Sequence, residues 1–384
     1  MRGFWIALAT ACVALGLASL WRPASETLDA AVSRDAAPAL AAPAGDLPDE
    51  PRAPPVDFGG SFGSSDGDLT REEGLTHLAL GAKFLEFGDY YSALSHLASA
   101  RAGLGDRPRL CSLLAVAYDQ LNMTLDLIEI MPCLARAALE SERASRLYDR
   151  LSRQTDVEAS FQAAASDHFV ASFPAGGSSA DDIGLLLDIL EDAHDRVETA
   201  LGLASVRIVP VVIYEGDQFE SATDKPHWAL GIYDGKIRVS SDSFDEQPEF
   251  FETALTHEYV HALTHEYTGT RLPTWFREGM ADHLARTGTA AERALPDPRR
   301  ESRRILGFDE INREFVSLSR ESALLAYRQS YWMVRDLVTE AGWDAVGDLI
   351  RDLQRHHQLG FTEAFEDLYG ESPARFFDRW ITAR

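Results

Sequence analysis

The segment Thr256-His257-Glu258-Tyr259-Val260-His261 constrains this 384-residue chain more than any other. Two histidines four residues apart fall on one face of an α-helix, near enough to bind a single metal ion. Glu258 is rotated from His257 by about one hundred degrees. That puts its carboxylate beside the open coordination position, where it can take a proton from metal-bound water. Tyr259, Val260, Ala262 and Leu263 carry no charge, as a helix enclosed in a core requires. The bland alternative is a helix whose His and Glu simply face solvent.

Two histidines need a third ligand. A metzincin pattern would place Gly at 264 and His at 267, but the chain has Thr264 and Tyr267. The better candidate is Glu278, with sixteen residues between it and His261, in Leu272-Pro273-Thr274-Trp275-Phe276-Arg277-Glu278-Gly279. Pro273-Thr274 supplies a helix start, so Glu278 is expected on a second helix that packs on the first. Asp282 follows one turn later on the same face, placed to accept a hydrogen bond from the far nitrogen of a ligand histidine. Two His and one Glu leave a fourth position for water, which is a catalytic arrangement and not a closed structural one. His265 and Glu266 continue the first helix and read as polar surface.

Residues 254–285 resemble the gluzincin metallopeptidases, in which HExxH is followed by a helix carrying ExxxD. The likeness is closer to the peptidase-MA-like proteins, whose second helix reads roughly Pro-x-Trp-x-x-Glu-Gly, here Pro273 to Gly279. It extends from about Phe169 to the C-terminus, because Ala326-Tyr327-Arg328-Gln329-Ser330 before a long apolar helix is similar too. The resemblance implies one Zn2+ per chain held by His257, His261 and Glu278, with Glu258 as general base and Asp282 behind the ligands. It also implies an edge strand over the metal that pairs with extended substrate, for which Ala229-Leu230-Gly231-Ile232 is the candidate. The spacing from His261 to Glu278 is shorter than in thermolysin, which argues against a thermolysin-like cleft. A donor to the developing oxyanion is also needed; Tyr327 is the first choice and Tyr331 the second.

The rest of the chain divides by composition. Arg2 is followed by nineteen uncharged residues, Gly3 to Trp21, so residues 1–22 read as a signal peptide or membrane anchor. Residues 23–68 are rich in Ala, Pro, Gly, Ser and Asp, with too little apolar surface to offset chain entropy, and read as a disordered linker. Residues 69–155 read as helical and carry a 34-residue period. It relates Gly81, Phe84, Phe87 and Gly88 to Ala115, Tyr118, Leu121 and Asn122, and it resembles tetratricopeptide repeats. Cys111 and Cys133 fall at similar heights in the second hairpin. A disulfide is open to them, with two buried free thiols the favoured expectation.

From 156 to 384 the expectation is an α+β peptidase-like domain. Strands are expected at Phe169–Phe173 and Val206–Tyr214, a helix at Asp181–Leu203, and a hairpin across Trp228–Ser240 turning at Asp234-Gly235. Helices follow after Pro248, so the sheet should be antiparallel or mixed beside a helical half. Lys and Arg total 36 against 61 Asp and Glu, a formal charge of −25 that repels nucleic acid and anionic membrane surfaces. The expectation is therefore an exported zinc peptidase, more endopeptidase than exopeptidase, on the periplasmic or extracellular side. It would act on peptide or protein substrates and touch a membrane only through residues 3–21, with the repeats as a surface for a protein partner. The competing expectation is a non-catalytic cell-envelope protein whose repeats bind a partner.

Overall fold

A computed structural model of the chain describes residues 69–383, except 177–179, 224–230, 242–247, 290–291, 293–294, 302–303 and 357. The targeting segment expected at 1–22 and the linker expected at 23–68 lie outside these residues. Among the described residues no helix is long and apolar enough to cross a membrane.

Five helices come first: α1 (Arg71–Glu86), α2 (Tyr90–Leu104), α3 (Pro108–Gln120), α4 (Thr124–Ala138) and α5 (Glu142–Glu158). Local chemistry sets their ends. The Thr70 hydroxyl accepts from the Glu73 N–H while the Glu73 carboxylate accepts from the Thr70 N–H, a reciprocal cap that opens α1. Pro108 opens α3, where a missing N–H has no partner to lose. Gly88 and Asn122, 34 residues apart, both take positive φ, at 74° and 54°. Helices α3 and α4 bring the Cα atoms of Cys111 and Cys133 to 5.8 Å, and a disulfide joins them. The favoured expectation of free thiols is thereby corrected. The antiparallel hairpin holds both residues at one height, inside the range a bridge spans.

A five-stranded mixed sheet follows: β1 (Phe161–Ala165), β2 (Phe169–Pro174), β3 (Val209–Tyr214), β4 (Gly231–Tyr233) and β5 (Ile237–Ser240), in the order β1-β2-β3-β5-β4. The outer pairs, β1–β2 and β5–β4, are antiparallel, and the inner pairs β2–β3 and β3–β5 are parallel. Parallel neighbours need crossovers, which contain α6 (Ala180–Leu201) and α7 (Gln218–Thr223). The fold is thus α+β, mostly helical with one small mixed sheet. One sheet face, with Phe169, Val211, Ile213, Ile237 and Val239, enters the main core against α6. On the other face Val212 and Tyr214 pack with Phe219 and Ala222 of α7 and with Val157 of α5.

The remaining chain is helical: α8 (Pro248–Thr268), α9 (Thr274–Arg286), the short α10 (Pro298–Glu301) and α11 (Phe308–Ile311), α12 (Arg320–Arg355), α13 (Phe361–Tyr369) and α14 (Pro373–Thr382). Trp275 and Phe276 anchor α9 in the same core, ringed by Phe361, Phe365 and Phe376. Gly279 lies against the backbone of α12. A Cβ there would stand 2.2 Å from the Ser330 carbonyl oxygen, so glycine is what lets α9 approach this closely. Helix α12 changes direction at Gly342, where φ is +82°.

Candidate metal centre

Helix α8 carries His257, Glu258 and His261, and α9 carries Glu278 and Asp282. All are buried or nearly so. The Nε2 atoms of His257 and His261 are 3.1 Å apart, and Glu278 Oε2 is 3.4 Å from each. Ligands bound at about 2.0–2.1 Å occupy tetrahedron corners about 3.3–3.4 Å apart. The three atoms therefore form a triangle of the size a tetrahedral ion needs, facing one another and not solvent. Because α8 and α9 are each pinned in the core, this triangle is set by packing and not by flexible side chains.

Two other groups of metal-binding residue types occur among the described residues. In the first, His168 Nδ1 is 2.6 Å from Glu191 Oε2. That is a hydrogen bond with no room for a shared ion. In the second, Cys111 and Cys133 have given up their thiols to each other. Of these groups among the described residues, only the triangle on α8 and α9 has both free donor atoms and the right spacing.

The surroundings of the triangle are acidic. His257 Nδ1 lies 3.3 Å from Asp282 Oδ1, which in turn accepts from Arg286 Nη2 at 3.3 Å. Burial alone would lower the His257 pKa. Hydrogen bonds to Asp282 and Glu278, with the charge of Glu258 nearby, outweigh burial and push it up to about 10. An acidic field of this kind also attracts a cation. Burial works the other way on Glu278, yet the two histidines hold its carboxyl well below the usual carboxylate range. Its second oxygen, Oε1, accepts from Arg277 Nη2 at 3.2 Å, and Arg277 is itself braced by Glu314 Oε2 at 3.2 Å. Oε2 is thereby left for the triangle. His261 Nδ1 has no hydrogen-bond partner among the described residues.

Burial pushes the Glu258 carboxyl up, against the pull of His257, His261 and the nearby Tyr233 backbone on β4. A carboxyl raised in this way is closer to the range in which it can both take and return a proton. Tyr327 on α12 is buried, with its ring edge-on to Phe315. Burial, followed by the charges of Glu278, Asp282 and Glu258, raises its phenol well above the ordinary range. The group therefore stays a neutral donor. Tyr331 is not at the site: its hydroxyl meets Glu292 Oε1 at 3.4 Å and its ring meets His283.

His265 and Glu266 are not polar surface, as the sequence suggested. His265 Nε2 is 3.2 Å from the Tyr90 hydroxyl of α2, and Glu266 accepts from Ser205 Oγ at 3.0 Å and Val206 N at 3.2 Å. Both tie α8 to neighbouring segments. Of the expected substrate-pairing stretch, Ala229 and Leu230 lie outside the described residues. Gly231 and Ile232 belong to β4, which ends the sheet. Sequence reasoning did not find Arg277, although its position beside Glu278 was a signal. No protein-family model and no curated protein matches the chain, so any functional reading rests on these residues and their geometry.

Proposed function

We propose that the chain is an exported zinc-dependent peptidase of the gluzincin type, related most closely to the peptidase-MA-like proteins. On this reading residues 69–155 form a tetratricopeptide-like module and residues 156–384 the catalytic domain. The observation that carries it is the triangle of His257 Nε2, His261 Nε2 and Glu278 Oε2, with separations of 3.1, 3.4 and 3.4 Å. These match the edges of a tetrahedral site, with Glu258 beside it and Asp282 behind His257.

Bound zinc would polarise a water molecule and bring its pKa towards about 7. Glu258 would act as the general base, accepting a proton from the attacking water and returning it to the departing amide nitrogen. The Tyr327 phenol, neutral at any physiological pH, donates a hydrogen bond to the oxygen that becomes negative. Asp282 holds the His257 ring in one tautomer, and Arg277 keeps one oxygen of Glu278 turned away from the centre. Strand β4, at the edge of the sheet and in contact with Glu258, offers backbone groups to an extended peptide. A substrate bound this way enters mid-chain, in keeping with endopeptidase action.

The test combines zinc analysis with hydrolysis of unfolded casein. The parent protein should contain one zinc per chain and cleave casein. Glu258→Gln should keep the zinc and lose at least about two orders of magnitude in rate. A Glu258→Gln protein as active as the parent, or a parent without zinc, would refute the proposal.

A further inference from the structure

Strand β5 and the residue leading into it carry two cations two positions apart, Lys236 and Arg238, both fully buried. They point to the sheet face opposite Ile237 and Val239, away from the main core. An uncompensated charge is not tolerated at such a position, so the source of the compensating charge matters. Asp234 of the hairpin itself takes Arg238 Nε at 2.9 Å, and the rest comes from the N-terminal helices. Asp119, at the end of α3 and also fully buried, has Oδ1 at 3.2 Å from Lys236 Nζ and 3.4 Å from Arg238 Nη2. Glu158, the last residue of α5, takes Arg238 Nη1 at 3.0 Å. Gln154 of α5 closes the set, donating to Asp119 Oδ1 at 2.8 Å and accepting from Arg238 Nη2 at 3.2 Å. Two buried cations therefore meet two buried anions from helices more than seventy residues earlier in the chain.

The other side of the hairpin is the candidate site. Arg238 pairs directly with Ile232, the middle residue of β4, while Gly231 pairs with Val239 and Tyr233 with Ile237. A Cβ on Gly231 would lie 3.3 Å from Glu258 Cγ, so β4 rests on the general base itself. The hairpin tip is clamped as well. Lys236 Nζ donates to Asn122 Oδ1 at 3.2 Å, and Gln120 fills the space against Gly235. The β4–β5 hairpin is thus gripped between the α3–α4 turn and Glu258.

We propose that Asp119 is a positioning residue for the cleft: through Lys236 and Arg238 it holds β4 against Glu258, so that the N-terminal helices complete the site. The proposal rests on the peptidase reading for its functional meaning, and its structural content can be measured without activity. It assigns the helical module a part in the cleft that partner recruitment would not require.

The experiment uses the full-length protein loaded with zinc. Asp119→Asn keeps the shape and removes the charge. Asp119→Asn combined with Lys236→Met restores the charge balance if the single variant folds poorly, because Arg238 and Glu158 remain paired. Hydrogen exchange, zinc content and peptide hydrolysis are measured on each. The expected result is exchange at least about tenfold faster over residues 231–240, with that of 254–265 and the zinc content unchanged. The kcat/KM for an extended peptide should also fall. Unchanged protection over 231–240, or acceleration spread evenly over the whole chain, would overturn the proposal. If the parent cleaves nothing, yet exchange rises only in the hairpin, the positioning stands and the peptidase reading is what fails.

Discussion

Gly279→Ala tests whether the geometry of the centre is imposed by helix packing. The added Cβ would begin 2.2 Å from the Ser330 carbonyl oxygen and 2.6 Å from its carbon, whereas real Cβ contacts essentially never fall under 3.0 Å. The obstacle is backbone inside two packed helices, so no side chain can swing aside. Helix α9 must move by at least the difference, 3.0 − 2.2 = 0.8 Å. Overpacking of this kind costs about 1–3 kcal/mol of stability. Glu278 is the adjacent residue and moves with it, although its oxygen has only 3.4 Å separating it from each histidine nitrogen. Misplacing a ligand should weaken zinc binding about 10–100-fold, comparable with losing a group that orients one. Competition with a chromophoric chelator measures the affinity, and urea unfolding of the metal-free protein measures the stability. Gly279→Ala protein with parental zinc affinity would show that α9 is free to adjust, and the argument from packing would be wrong.

Glu278→Gln should weaken zinc binding more than Asp282→Asn, because the first loses a donor to the ion and the second only the acceptor behind His257; the reverse order in a chelator titration would mean the third ligand is misassigned. Tyr327→Phe should leave zinc content and folding intact while lowering kcat about 10²–10³-fold, the usual loss for one oxyanion donor, and an unchanged kcat would remove Tyr327 from the mechanism. Replacing Cys111 and Cys133 together by serine opens a loop with a sequence separation of 22 and should cost about 3 kcal/mol in urea unfolding. Equal stability under oxidising and reducing conditions would contradict this.

Most of the candidate centre was legible because its spacing is local. HExxH occupies one and a half helical turns, and Glu278 with Asp282 occupies one, so a helical period suffices to align them. Strands β2 and β3 and the β4–β5 turn were visible as alternating or β-branched runs. Strand β1 was not, since Phe161-Gln162-Ala163-Ala164-Ala165 has the composition of a helix. It becomes a strand by pairing with β2, from Phe161 opposite Pro174 to Ala165 opposite Val170. The buried charges were invisible for a different reason. Asp119 and Arg238 look like solvated surface residues until the fold places them together, and no window of sequence contains both. The bend at Gly342 was likewise hidden inside an apparently continuous helix.

The separation of Asp119 from Arg238 also bears on the order in which the molecule is made. Their contact closes a loop of 119 residues, while α1 to α5 are built from short-range hairpins. Local elements form quickly and long-range contacts slowly, and the N-terminal helices leave the ribosome first. The helical module is therefore expected to form from its own short-range contacts before the hairpin joins it. The hairpin that rests on Glu258 can settle only afterwards, once its two cations find acids already fixed in place. The hairpin beside Glu258 thus depends on contacts with the longest sequence separations in its surroundings, and is expected to order after the helices that hold it.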